Sequence, residues 1–239
     1  MAGAKGGDFR ELVSPFLRAK IAEAGDRFGE TSPEYLALTR QYIRSPLETM
    51  VSAEDRRRHY ESEVDIEFDG RPVVGVERLY RRTILIEPTT VCAAHCRWCL
   101  RGQYPVRTMT RDDIVHAARY IGSDGLADDI DEVLITGGDP LMSVPLLSYT
   151  IDALRRHAPN VRIVRIGSRV PFQDPDRVGD AILEMFDRLS GLRLELGINV
   201  NHPVEFWPES IAALQRLQSV GFRIYNQHPL LKGVNDDRD

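Results

Sequence analysis

Cysteine and lysine are both scarce in this chain, and neither is spread evenly. The 239 residues hold three cysteines, Cys92, Cys96 and Cys99, all within eight positions. A structural disulfide framework is therefore not expected, and packing does not explain three thiols at i, i+4 and i+7 with none elsewhere. Of 31 basic residues only Lys5, Lys20 and Lys232 are lysine, a skew that fits GC-rich coding and restricts where lysine-dependent chemistry can happen. No apolar run approaches the ~18 residues of a bilayer-spanning helix. Residues 1–8 lack the apolar segment of a secretory signal, and residues 1–7 read as a flexible leader. The net charge of −5 gives no general attraction to nucleic acid or anionic membrane. Clustered, reduced cysteines suit a cytoplasmic protein. What remains, 42% hydrophobic and 28% charged, is an ordinary globular composition with enough apolar residues for a sizeable core.

Along the chain, two helices are expected first. Asp8 can cap a run of Phe9, Leu12, Val13, Phe16 and Leu17 at helical spacing, with Pro15 giving either a kink or a late start. Ser32 and Pro33 give a stronger start signal, leading into Leu36, Leu38, Tyr42 and Ile43. Residues 45–60 are polar and read as a solvated helix face. Residues 63–68 alternate strictly and turn at Asp69 and Gly70, as a hairpin strand does. From residue 83 strand and helix alternate. Strands are expected near 83–88, 131–136, 162–167, 193–199 and 222–226, with helices near 111–122, 144–157, 175–189 and 207–219. Repeats of this length predict a parallel sheet with right-handed crossovers, an α/β fold of partial (β/α) barrel type. Residues 1–74 form a helical and hairpin extension in this reading, and 75–239 form the barrel.

Active residues of such folds collect where strands end and loops begin. Those ends are unusually polar here. They carry the cysteines after the first strand, Gly137, Gly138 and Asp139 after the second, and Ser168 and Arg169 after the third. Asn201 and His202 follow the fourth strand and Gln227 the fifth. Three thiolates can hold a soft metal or an iron–sulfur cluster. Structural zinc asks for four ligands, whereas three cysteines on a four-iron cluster leave one iron open to a substrate or cofactor.

The triplet Cys92, Cys96, Cys99 with Trp98 before its last member resembles the radical S-adenosylmethionine (SAM) superfamily. Further blocks resemble its lysine 2,3-aminomutase family. They are residues 75–80, 96–101, 135–139, 164–169, 201–203, and 226–227 with 230–236, in the family's order over about two thirds of the chain. The resemblance implies a [4Fe-4S] cluster on the three cysteines, whose open iron chelates S-adenosyl-L-methionine. It implies contact of Gly137, Gly138 and Asp139 with the methionyl amino group, and of Trp98 with the adenine side. Ser168, Arg169, Asn201, His202 and Gln227 would be further cofactor contacts. Arg101 matches the arginine that binds the substrate carboxylate, and Tyr80 a tyrosine near pyridoxal phosphate. Read alone, Trp98 also fits an ordinary loop aromatic and Arg101 a surface ion pair.

Two departures stand out. Thr83 takes the place of the family arginine three residues after the tyrosine, and no glycine-rich stretch carries the lysine that anchors pyridoxal phosphate. Lys232 stands where the family usually has arginine. The expectation is therefore a fragment of a longer enzyme whose substrate pocket lies past Asp239. The function expected of the whole is amino migration on a small-molecule amino acid substrate, with lysine, arginine and glutamate all open, a flavodoxin or ferredoxin as electron donor and a homo-oligomer as the assembly. The rivals are a radical SAM enzyme without pyridoxal phosphate that dehydrogenates or epimerises, and a non-catalytic zinc or interaction module.

Overall fold

A computed structural model describes residues 10–46, 48, 66–78, 80–99 and 107–236. Asp8, Phe9, most of the polar run 45–60 and residues 63–65 lie outside the described residues, as does Arg101.

Helix α1 spans Pro15–Phe28 and α2 spans Pro33–Tyr42. Both start the same way. Ser14 and Ser32 accept hydrogen bonds from the backbone N–H of Leu17 (3.1 Å) and Tyr35 (3.2 Å), and proline fills the first helical position. Pro15 thus sets a late start rather than a kink. The hairpin is shorter than the alternation suggests. Strand β1 (Glu67–Phe68) pairs with β2 (Arg71–Pro72) through Asp69 and Gly70, both at positive φ (52° and 70°).

The main sheet has six strands in the order β3 (Val76–Glu77), β4 (Thr83–Thr89), β5 (Glu132–Gly137), β6 (Ile163–Gly167), β7 (Arg193–Ile198) and β8 (Arg223–Asn226). Strand β3, not foreseen from the sequence, is antiparallel to β4; from β4 to β8 every pairing is parallel. Spatial order equals chain order, so each crossover steps one strand over in the same direction. Right-handed connections then put the helices on one face, as in part of a barrel wall. Those helices are α3 (Arg111–Ile121), the single turn α4 (Asp124–Ala127), α5 (Val144–His157), the single turn α6 (Val170–Gln173), α7 (Asp180–Asp187) and α8 (Pro208–Ser219). The expected helix at 175–189 is interrupted. Pro175–Arg177 forms a tight 3₁₀ turn, and Gly179 in extended conformation caps a separate α7.

Period-two alternation sorts the two faces of the sheet. Ile84, Ile86, Val133, Ile135, Val164, Ile166, Leu194 and Leu196 join Ile114, Ile121, Leu147, Ile151 and Leu154 in one apolar core. On the other face the same strands carry charge. Arg165 bridges Glu132 (2.9 Å) and Glu195 (2.8 Å), and Thr83 donates to Glu132 (3.1 Å). A second apolar cluster joins Val13, Leu17, Ile21, Leu38 and Tyr42 of the helical pair to Ala94 and Trp207. The pair is thereby packed directly onto the cysteine loop. Among the described residues, no helix is long and apolar enough to cross a membrane.

Candidate functional site

The cysteine loop leaves β4 at its C-terminal end and is tied by backbone bonds to the segment ahead of α1, to α2 and within itself. The N–H of His95 donates to Leu12 O (2.8 Å), that of Arg97 to Gln41 O (2.9 Å), and that of Cys99 to Cys96 O (3.0 Å). His95 Nδ1 donates to Arg10 O (2.7 Å), and Arg97 pairs with Glu48. All three cysteines are free thiols of intermediate exposure. The Cys92 thiol is pushed well above its ordinary value, first by burial and then by the charges of Asp139, Cys96 and Cys99. The sulfurs therefore share one electrostatic environment, and bound metal is what would make three thiolates tolerable there. Among the described residues no three Cys, His, Asp or Glu groups close on a single point to hold one ion.

The glycine turn after β5 lies against this loop. Gly137 adopts φ of 110°, and a Cβ there would stand 2.5 Å from Thr89 O. A Cβ on Gly138 would meet the backbone of Thr90 and Val91 at 2.4–2.5 Å. The N–H groups of Gly138 and Asp139 donate to Thr89 O (2.7 Å) and Val91 O (2.8 Å). Both glycines are thus required by the protein's own main chain, a reason the sequence does not supply. Gly138→Ala is expected to lose about 3 kcal/mol or more, since the neighbours that must move are backbone. A urea midpoint within experimental scatter of wild type would refute this.

Asp139 is buried and pins two strand ends together. Its carboxylate accepts from Ser168 Oγ (2.8 and 3.0 Å) and from the N–H groups of Leu141 (3.0 Å), Arg169 (2.7 Å) and Val170 (3.1 Å). Burial pushes its pKa up to about 6, against the pull of these hydrogen bonds. The folded pKa lies above the ordinary 3.8, so the folded state holds the proton more tightly between those two values. The stability associated with this group is then full below about pH 4 and lost as pH rises through about 6, by on the order of 3 kcal/mol. Denaturation of metal-free wild type from pH 4.5 to 7 checks this, with Asp139→Asn as the non-titrating comparison. Wild type is expected to lose ground to the variant as pH rises; the opposite slope refutes it.

Arg169 is the hub of the site. It is 7% exposed. Its Nη1 donates to Cys96 Sγ (3.1 Å), and its Nη2 to Glu205 Oε1 (2.7 Å) and Gln41 Oε1 (3.2 Å). The guanidinium lies 5.2 Å from the Tyr42 ring centre and 5.1 Å from that of Trp98. Burial works against its charge, but Tyr42, Cys96 and Glu205 outweigh it and raise its pKa. Glu205 is 0% exposed and also takes the N–H groups of Asn201 (2.8 Å) and His202 (3.0 Å). Asn201 Nδ2 donates to Gln41 (2.7 Å), and its Oδ1 is buried without a hydrogen-bond partner.

The structure thus gathers the cysteines, Trp98, Gly137, Gly138, Asp139, Ser168, Arg169, Asn201 and His202 at one end of the sheet. Gln227 stands apart from the hub. Its backbone joins Ile198 and Asn199 (2.8 and 2.6 Å) and it is exposed, with its side-chain oxygen 2.8 Å from where a Cβ on Gly197 would sit. Tyr80 is not brought to this end. It lies in the connection from β3 to β4, ahead of Thr83, and is 60% exposed. The seven residues of β4, each rising about 3.3 Å, separate it from the cysteine loop. Arg101 lies outside the described residues. Sequence reasoning passed over Gln41, Gln173 and Glu205, and read Tyr42 only as an apolar position of its helix. Gln41 carried a readable signal, a polar residue beside Leu38 and Tyr42 on the stripe that α2 buries.

A family profile described as "Radical SAM superfamily" matches residues 86–239, more than half of the chain. Among curated proteins, one from Aquifex aeolicus (strain VF5), provisionally named an L-lysine 2,3-aminomutase, is 37% identical over 175 residues, 69% of this chain and 45% of its own length. The L-lysine 2,3-aminomutase of Acetoanaerobium sticklandii is 35% identical over 191 residues, 78% of this chain and 45% of its own length. That of Clostridium subterminale is 36% identical over 169 residues, 69% and 39% of the respective lengths. The chain spans less than half the length of these relatives.

Proposed function

We propose, on the premise that the chain belongs to the radical SAM superfamily, that Cys92, Cys96 and Cys99 hold its catalytic cluster and that the rim around them binds SAM. The superfamily implies a [4Fe-4S] cluster and SAM as cofactors. Bound together, they supply one-electron cleavage of the sulfonium and a 5′-deoxyadenosyl radical. The observation that carries the assignment is the placing of all three cysteines of the chain at the exit of β4, against a glycine turn and beside a buried arginine. The donor chemistry fits, since soft thiolates suit iron–sulfur and three of them leave one iron open.

The chain's own residues then divide the work. Gly137 and Gly138 allow the main chain of the second strand end to lie against the cysteine loop. Asp139 and Ser168 spend their polar atoms on each other and fix the third strand end, leaving neighbouring backbone to meet SAM. Trp98, half-buried over Arg169, offers a ring face for the adenine side. Asn201 and His202 complete the rim from the fourth strand end, while Gln227, apart from the Arg169 hub, would be an outlying cofactor contact at the fifth. An external one-electron donor, such as a reduced flavodoxin or ferredoxin, would supply the electron.

For the whole protein we propose 1,2-migration of an amino group on an amino acid, the kind of activity that the relatives' names carry. Arg101 would bind the substrate carboxylate, for which a planar two-pronged donor is suited. Pyridoxal phosphate needs a lysine amine. The described lysines do not offer one at the rim. Lys20 on α1 pairs with Glu209 and Glu23, and Lys232 is exposed beyond β8. No step through that cofactor is assigned to this chain.

Anaerobic reconstitution with iron and sulfide tests the proposal. Four irons and four sulfides per chain are expected, with 5′-deoxyadenosine released from SAM under reductant. About one zinc per chain, with neither iron nor sulfide, would sink it. Radical formation with hydrogen abstraction but no amino migration in the longest gene product would overturn the amino-migration assignment alone.

A further inference from the structure

We infer that Gln173 and Arg169 are tuning donors for the cluster, lowering the energy of its reduced state through hydrogen bonds to one thiolate, that of Cys96. This rests on the reading that the three cysteines carry the cluster. Gln173 Nε2 donates to Cys96 Sγ at 3.3 Å and Arg169 Nη1 at 3.1 Å. Both distances are those of N–H···S hydrogen bonds, and one donor is a full cation.

Neither donor is free to drift away. Arg169 is held by Glu205 and Gln41 and flanked by the rings of Tyr42 and Trp98. Gln173 is 2% exposed and ends the single helical turn α6. Its backbone oxygen accepts the hydroxyl of Ser14, the residue that caps α1. Both donors, one capping and one ending the turn α6, are thus fixed in place by the cap of α1 and by α2. This gives the N-terminal helical pair a chemical purpose beyond covering apolar surface.

The physical effect has a definite sign. One-electron reduction adds negative charge that is shared with the ligating sulfurs. An N–H dipole or a guanidinium aimed at such a sulfur stabilises the more negative state more than the oxidised one, so the reduction potential rises. Removing a donor should make the cluster harder to reduce. Gln173 is the cleaner probe, because it is uncharged and its loss strands no buried carboxylate.

The experiment compares reconstituted wild type with Gln173→Leu and Gln173→Met, which keep similar volume without an N–H, and with Gln173→Glu, which sets negative charge against the thiolate. Iron and sulfide content is measured first. The midpoint potential is then followed by electron paramagnetic resonance during reductive titration, and the Fe–S stretching bands by resonance Raman. The expected result is unchanged cluster content with about tenfold less reduced cluster at a fixed poise for the Leu and Met variants, which is about 59 mV for one electron. The shift should be larger for Glu, with altered Fe–S bands in all three. Fully loaded variants with the wild-type midpoint would overturn the inference while leaving the cluster assignment intact. Wild type that takes up no iron and sulfide would overturn the assignment and this inference together.

Discussion

Cys99→Ala, and equally Cys92→Ala or Cys96→Ala, is expected to abolish reductive cleavage of SAM while leaving the fold intact. Two thiolates cannot hold three corners of a four-iron cluster. Iron and sulfide uptake should fall to background and 5′-deoxyadenosine formation by more than about 100-fold, beyond the 10–100-fold typical of changes one shell further out. The fold should survive because these thiols sit on a loop at intermediate exposure rather than in the main core. Burial and the neighbouring Asp139, Cys96 and Cys99 charges push the Cys92 thiol up, so in metal-free protein it stays protonated and neutral. Cluster assembly must therefore displace protons and should proceed more completely as pH is raised from about 7 to 8.5. Far-UV circular dichroism and urea midpoints close to those of wild type, with cluster lost, are the expected pair of results. A structural zinc site predicts the reverse, a collapse of stability when a ligand is removed. Retained visible absorbance and retained 5′-deoxyadenosine in all three variants would exclude these cysteines as the ligands.

The parts of this molecule that were legible in the sequence are those governed by local rules. Alternating apolar residues marked the five parallel strands to within a residue or two, and Ser32 with Pro33 marked the start of α2, whereas α1 starts at Ser14 and Pro15 rather than at the Asp8 cap read from the sequence. The grouping of the cysteines with the polar strand ends followed from those strands, because strand ends at one edge of a parallel sheet must be neighbours. What escaped depends on tertiary contacts. Strand β3 has only two residues, too few for any periodic signal. The turn α6 reads as an apolar loop until packing brings Gln173 against Cys96. Gly137 and Gly138 looked like residues kept small for a ligand, yet the atoms a Cβ would strike belong to Thr89–Val91. Nothing in the sequence singles out Glu205. Its burial follows from the charge of Arg169, 36 residues earlier in the chain. Tyr80 matched a tyrosine near pyridoxal phosphate, and the direction of β4 carries it to the end of the sheet opposite the cysteine loop.

Arg169→Ala is expected to cost the metal-free protein about 3–5 kcal/mol, the second of the large effects. Glu205 would keep its charge at 0% exposure with only the N–H groups of Asn201 and His202 to meet it. A buried ion left without its partner is penalised by about that amount, far more than a surface pair is worth. Loss of the stacking between Tyr42 and Trp98 adds to the cost. Glu205→Gln alone should also destabilise. Its oxygen would stay with the two backbone donors, which turns the amide N–H₂ toward the guanidinium. The double variant Arg169→Ala with Glu205→Gln removes both charges, and should recover at least about 2 kcal/mol relative to the sum of the single changes. Urea denaturation of the four metal-free proteins measures that coupling. Simple additivity would mean that Arg169 is held by Gln41 and the aromatic rings rather than by Glu205. A large coupling would identify the Arg169–Glu205 pair as what joins the third and fourth strand ends, and so as what fixes the guanidinium where Cys96 can use it.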